Sequence, residues 1–178
     1  AVETEKQEKV FGISGALALF RASALEDIRF GDEVLDHDFF AYKEDVDLAW
    51  RLQHTGWDAL YVPRAVAYHY RGMYGPEKSG FWKRLRNRRE KSVLRNFFST
   101  RNHWLLLLKN LKCTSLLFSF PWVLTYEGAR LVYVLIFERS GWRALRETIV
   151  LAPRMWKKRR ATMNACTRPG REVRKWFI

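Results

Sequence analysis

The sequence predicts an α/β front followed by basic, amphipathic helices. Three observations carry this reading. Apolar residues recur at i, i+3 and i+4 through Val46, Ala49 and Trp50, the period of a helix. After them, residues 59–62 and 65–70 read as two short strands around Pro63, with Ala65, Ala67 and His69 on one face of the second and Val66, Tyr68 and Tyr70 on the other. Charge then divides the chain: residues 1–70 hold 7 Lys and Arg against 13 Asp and Glu, net −6, whereas residues 71–178 hold 25 against 6, net +19. An acidic front and a basic back suggest two jobs.

At 178 residues, 48% of them hydrophobic and 15% aromatic, the chain can bury one sizeable core and lies outside the disordered class. Its two cysteines, Cys113 and Cys166, are far apart and have no partners at metal-ligand spacing. That argues against a disulfide framework or a zinc site and fits a reducing cytosol. The first nine residues are polar and charged, without Met or a signal-peptide pattern, as expected of a fragment.

In chain order, residues 10–20 are apolar and carry Gly12 and Gly15, which reads as a loop leading into a short strand over 16–21. Ser23 with Glu26 has the form of a capping box and predicts a short helix through Ile28. Asp32, Glu33, Asp36 and Asp38 follow in what reads as a solvated loop, their spacing too irregular for a calcium loop. The central helix starts at Glu44, Asp45 and Asp47 and closes at Gly56. The partial positive charge of a helix start favours the carboxylate form, which is the form a general base needs. The same acids serve equally as first-turn caps, and Asp47 with Arg51 reads as an exposed i, i+4 ion pair.

Residues 71–80 hold three glycines and Pro76, a composition suited to a mobile lid. Lys83, Arg84, Arg86, Arg88, Arg89 and Lys91 then make either a solvated helix face or a surface for an anionic partner. The longest uncharged run, residues 113–126, is 14 residues and contains Pro121, short of the about 20 needed to cross a bilayer; a hydrophobic hairpin through residues 105–137 stays open. Trp142, Leu145, Ile149, Ala152 and Trp156 recur at spacings of 3 and 4, with Arg143, Arg146, Arg154, Lys157 and Lys158 around the other face. This pattern builds a helix lying in a membrane surface, or an amphipathic helix packed on its own protein. The tail from Thr162, with Pro169 and Gly170, reads as poorly ordered.

Taken together, Gly12-Ile13-Ser14-Gly15-Ala16, the stretch from Phe20 to Glu26, the run from Phe39 to Leu52, Gly56-Trp57 and Tyr61-Val62-Pro63 resemble bacterial family 2 glycosyltransferases, especially the rhamnosyltransferase-like branch. The resemblance implies that residues 1–80 are the C-terminal, acceptor-side portion of a GT-A-like domain with its lid loop. Residues 81–161 would be a basic, amphipathic membrane-associated helical region, and residues 162–178 a flexible basic tail. It implies an inverting enzyme that passes a sugar from a nucleotide-sugar donor to a hydroxyl acceptor, a glycan or lipid-linked precursor in cell-surface polysaccharide synthesis. The enzyme would sit on the cytoplasmic, inner face of the cell membrane.

On this resemblance Asp45 is the base and Glu44 orients or assists it. Ser14, Gly15, Trp57 and Arg101 bind substrate, although Trp57, like Arg51, also suits a structural role. Arg101-Asn102, followed by an apolar run and Lys109-Asn110, resembles the Arg-Asn pair that follows the catalytic domain in these transferases. His69 is implied to contact the metal or the diphosphate. A divalent metal, Mg or Mn, is implied too, yet its main binding motif is missing. Asp36-His37-Asp38 has the Asp-x-Asp form but lies just before the base rather than at the end of nucleotide-binding strands, and is not assigned. Without a donor-binding half the chain alone is expected to be inactive. The competing reading is a non-catalytic basic module for an anionic membrane surface or nucleic acid, supported by the +19 and by Phe81, Trp82, Phe97, Phe98 and Trp104. Aliphatic runs such as Leu105-Leu106-Leu107-Leu108 suit lipid better than bases, so no nucleic acid is expected.

Overall fold

The computed structural model describes residues 6–68, 92–138 and 140–177, with the backbone path alone over 113–119. Its elements are β1 (Glu8–Val10), α1 (Ala22–Glu26), α2 (Glu44–His54), β2 (Ala59–Tyr61), α3 (Val93–Asn110), α4 (Cys113–Phe137), α5 (Gly141–Asn164) and α6 (Gly170–Arg174). β1 and β2 pair antiparallel, Glu8 opposite Tyr61 and Val10 opposite Ala59. Strand structure among the described residues is confined to that ribbon, and helices dominate.

Local expectations change in three places. Residues 16–21 form no strand: a turn closes there, with Leu17 N donating to Ser14 O at 3.3 Å. Residues 65–68 are not a strand either, since Ala65 N turns back to Val62 O at 3.0 Å. The partner of β2 is instead β1, whose Glu8 and Lys9 give no apolar alternation to read. Helix α1 forms, but Ser23 lies inside its first turn and the N-cap, Arg21, makes no side-chain cap.

Helix α2 ends as expected. Gly56 has φ +92°, and Trp57 N reaches Leu52 O at 3.0 Å while Gly56 N reaches Gln53 O at 3.4 Å. This is the paired bonding of a left-handed helix terminus, open to glycine at little cost. A Cβ on Gly12 would stand 2.2 Å from the Ala49 Cβ, so residues 10–12 lie against α2 only because position 12 has no side chain. Gln53 fastens the same segment by donating to Phe11 O at 3.0 Å.

Ser92 caps α3 by accepting from Arg95 N at 3.2 Å. Helix α3 packs along α5, and the shared core of Phe39, Trp50, Leu105, Leu106, Met155 and Val173 draws one or more residues from the front, α3, α5 and α6. The tail read as poorly ordered is docked. Thr167 N and Arg168 N both donate to His54 O at 3.0 Å, Arg168 reaches Gly56 O at 2.7 Å and Asp58 at 2.8 Å, and Phe177 stacks on Trp50 at 5.1 Å.

Helix α5 packs through Gly141, Ala144, Met155 and Thr162. The apolar stripe read from the sequence is displaced from that seam: Trp142 is 65% exposed, Ile149 64% and Trp156 47%. Helix α4 runs unbroken through Pro121, and Phe120–Phe137 is long and apolar enough to cross a membrane by length and composition. Glu127 and Arg130 end the uncharged run at Tyr126 but do not interrupt the helix.

Candidate active site

The chain reaches α2 through a backbone that residues with a Cβ avoid. Phe40, Tyr42 and Lys43 have φ of 57°, 66° and 71°, and Lys43 is the N-cap itself. Each left-handed non-glycine residue costs about 1–2 kcal/mol, so such a run persists only where neighbours over-determine it. The neighbours are on α3. Asn102 Nδ2 donates to Phe39 O at 2.7 Å, Ala41 O at 2.7 Å and Tyr42 O at 2.8 Å. Arg101 Nη2 donates to Asp38 O at 2.8 Å and Phe39 O at 3.3 Å.

At the start of α2, Asp45 is half-buried. One of its oxygens accepts from Val46 N at 2.8 Å and the other from Gly15 N, across the facing loop, at 3.3 Å. Ser14 and Gly15 are exposed on that loop, where the Ser14 hydroxyl accepts from Ala16 N at 3.4 Å. Glu44 has one carboxylate oxygen shielded from water and without a hydrogen-bond partner among the described residues. Ser14, Gly15, Glu44 and Asp45 therefore share one place.

The other candidates lie elsewhere. Trp57 donates to Asp27 at 2.9 Å beyond the far end of α2, whose last residue, His54, is roughly 14 Å along the helix from Asp45 at about 1.5 Å per residue. Arg101 is buried and spends its guanidinium on the loop carbonyls, on Asn102 and on Glu147 of α5. His69, the lid loop 71–80 and the cations of 83–91 lie outside the described residues.

The remaining acids of the front are not solvated. Asp36 is buried and binds Lys109 at 2.6 Å and Lys158, which also meets Asp38 at 2.8 Å and Glu33 at 3.2 Å. Burial alone would raise the Asp36 carboxyl, but the two ammonium groups hold it below the ordinary carboxylate range. Asp47 is fully buried as well, accepting from Arg51 Nε at 2.9 Å, Lys109 at 2.8 Å and Asn110 Nδ2 at 2.8 Å. The exposed Asp47–Arg51 pair expected from spacing is thus the centre of a buried network, since α3 covers it.

Asn102, Lys109, Asn110 and Lys158 do this work, and local motif reading did not single out any of them for it. A signal was present in Arg101-Asn102, Leu105-Leu106 and Lys109-Asn110, pairs repeating every four residues on one helix face, all of them buried. For a divalent cation, the Asp36-His37-Asp38 carboxylates do not fit, because Lys109, Lys158 and Arg154 occupy them. Among the described residues no group of three His, Cys, Asp or Glu side chains is arranged to hold a metal ion.

Residues 3–144 match the profile of glycosyl transferase family group 2, and the chain belongs to that family. It is similar to two N-acetylglucosaminyl-diphospho-decaprenol L-rhamnosyltransferases of Mycobacterium tuberculosis, from strains CDC 1551 / Oshkosh and ATCC 25618 / H37Rv. Each is 40% identical over 68 residues, 38% of this chain and 21% of the relative, so the match spans about a fifth of those relatives' length. No solved structure matches.

Proposed function

We propose that this chain is the acceptor-side part of an inverting, GT-A-type glycosyltransferase, with Asp45 as the general base. One observation carries the reading: Asp36, Asp38 and Asp47 are each tied to cations, whereas Asp45, half-exposed at the start of α2, is ion-paired with no described residue. The acceptor hydroxyl gives its proton to the Asp45 carboxylate as its oxygen attacks the anomeric carbon. The nucleoside diphosphate leaves from the opposite face, so the configuration inverts. Gly15 N and Val46 N orient the carboxylate, and Glu44 assists from the adjacent position.

The donor is a nucleotide sugar, held by residues outside those described, His69 among them, with a divalent metal, Mg or Mn. The similarity to the mycobacterial enzymes favours L-rhamnose as the sugar and a lipid-linked diphosphate glycan as the acceptor. Exposed Trp122, Ile136, Trp142 and Ile149, with Arg146 and Lys157 also exposed on α5, support a peripheral place on the inner, anionic face of the membrane.

The test is transfer of nucleotide-activated L-rhamnose to N-acetylglucosaminyl-diphospho-decaprenol by the full-length protein. Asp45→Asn keeps shape but removes the proton acceptor, and kcat should fall roughly 10²- to 10⁴-fold with donor binding retained. Asp32→Asn, on an exposed turn, is the control and should leave turnover unchanged. Near-full turnover by Asp45→Asn would reduce this acid to a first-turn cap.

A further inference from the structure

We infer that Asn102, oriented by Arg101, is a positioning residue that sets the catalytic carboxylate by clamping the left-handed loop in front of it; this rests on Asp45 being the base. Around the positive-φ residues Phe40, Tyr42 and Lys43, the carbonyls of residues 38, 39, 41 and 42 face α3, where the side chains of Arg101 and Asn102 donate to them. Asn102 has two N–H bonds and three carbonyls within 2.8 Å, so one hydrogen is shared and no donor capacity is left over.

Its amide cannot turn round. Arg101 Nε donates to Asn102 Oδ1 at 2.9 Å, and Arg101 is itself held by Glu147 of α5 at 3.1 Å. Only the carboxamide orientation with oxygen toward the guanidinium satisfies both sides. A chain of contacts therefore runs from α5 through α3 to the carbonyl of Tyr42, the residue before the N-cap of α2 and three positions before Asp45. The loop has no glycine at any of the three left-handed positions, so its geometry comes from α3 and not from intrinsic preference.

The experiment uses the same full-length assay and donor and acceptor pair. Asn102→Ala removes the donors, and kcat should fall roughly 10- to 100-fold, the scale of a misplaced catalytic group, with the donor KM unchanged. Adding Lys43→Gly to Asn102→Ala supplies a residue that takes φ near 71° without the clamp, and should return a large part of kcat. A purely structural role for Asn102 would not give that recovery. If Asn102→Ala keeps near-full kcat while Asp45→Asn abolishes it, the base stands and the clamp is overturned. A fall in kcat that Lys43→Gly leaves unrepaired overturns the clamp too. Should Asp45→Asn itself remain active, the base reading fails, and the clamp fails with it.

Discussion

Replacing Asp47 by Asn removes the charge that faces Arg51 and Lys109 and turns one of its two accepting oxygens into a donor, at a place where Arg51, Lys109 and Asn110 have no water to turn to. Breaking a buried pair from one side costs about 3–5 kcal/mol, whereas an exposed i, i+4 pair is worth about 0.3–0.5 kcal/mol. Asp47→Asn should therefore lower the urea unfolding free energy by about 3 kcal/mol or more. A loss below about 1 kcal/mol would return Asp47 to the surface role its spacing suggests. The place of Asp45 was legible because it is set locally, by an acid in the first turn of a periodic helix. The fate of Asp47 was not, since Lys109 and Asn110 lie 62 and 63 residues away in the chain.

Helix α5 carries two apolar faces, and this is why its pattern admitted two readings. Ala144 and Met155 are buried at the seam with α3, leaving Trp142, Ile149 and Trp156 in solvent beside exposed Arg143, Arg146 and Lys157. Three exposed side chains of this size are costly in water and favourable in the head-group region of a bilayer. Replacing Trp142, Ile149 and Trp156 together by Ser should release the protein from vesicles containing anionic lipid while thermal unfolding stays near its original midpoint, as the buried seam is untouched. Co-sedimentation with anionic and neutral vesicles reads this directly. Undiminished binding would overturn the membrane-facing role proposed for this stripe of α5. The existence of α4 as a single 25-residue helix was obscured by Pro121 and two charges.

At the scale of the whole molecule, described acids of the front are paired with described cations of the back. Asp36 and Asp47 meet Lys109; Glu33, Asp36 and Asp38 meet Lys158; Asp58 meets Arg168. His54 lies at the joint of three segments, its Nε2 2.9 Å from Asn110 O and its carbonyl accepting from Thr167 N and Arg168 N. Burial, with Lys112 and Arg159 nearby, lowers its pKa to about 4 against the opposing pull of the Asn110 carbonyl. Between pH 6.5 and 4 the unfolded chain binds a proton at His54 that the folded state refuses, so stability rises with pH through this window. It is complete above about 6.5 and is lost on acidification, by about 3 kcal/mol from this group. Urea unfolding at pH 7 and pH 4.5 should show the fall, and His54→Gln should flatten it.

Taken alone, the amino-acid order determined what depends on near neighbours. It marked the span and glycine stop of α2, the acids at its start, the short α1, the amphipathic character of α5 and the likeness to a family later matched over residues 3–144. Tertiary structure decided which charges are solvated and which are buried, where the partner of β2 lies, that the tail docks, and why a loop without glycine holds three left-handed residues. Those outcomes depend on α3 and α5 closing over the front. Water leaves the acids there, and the cations and carboxamides that replace it come from positions 60 to 125 residues further along, a distance over which no periodicity in the sequence carries information.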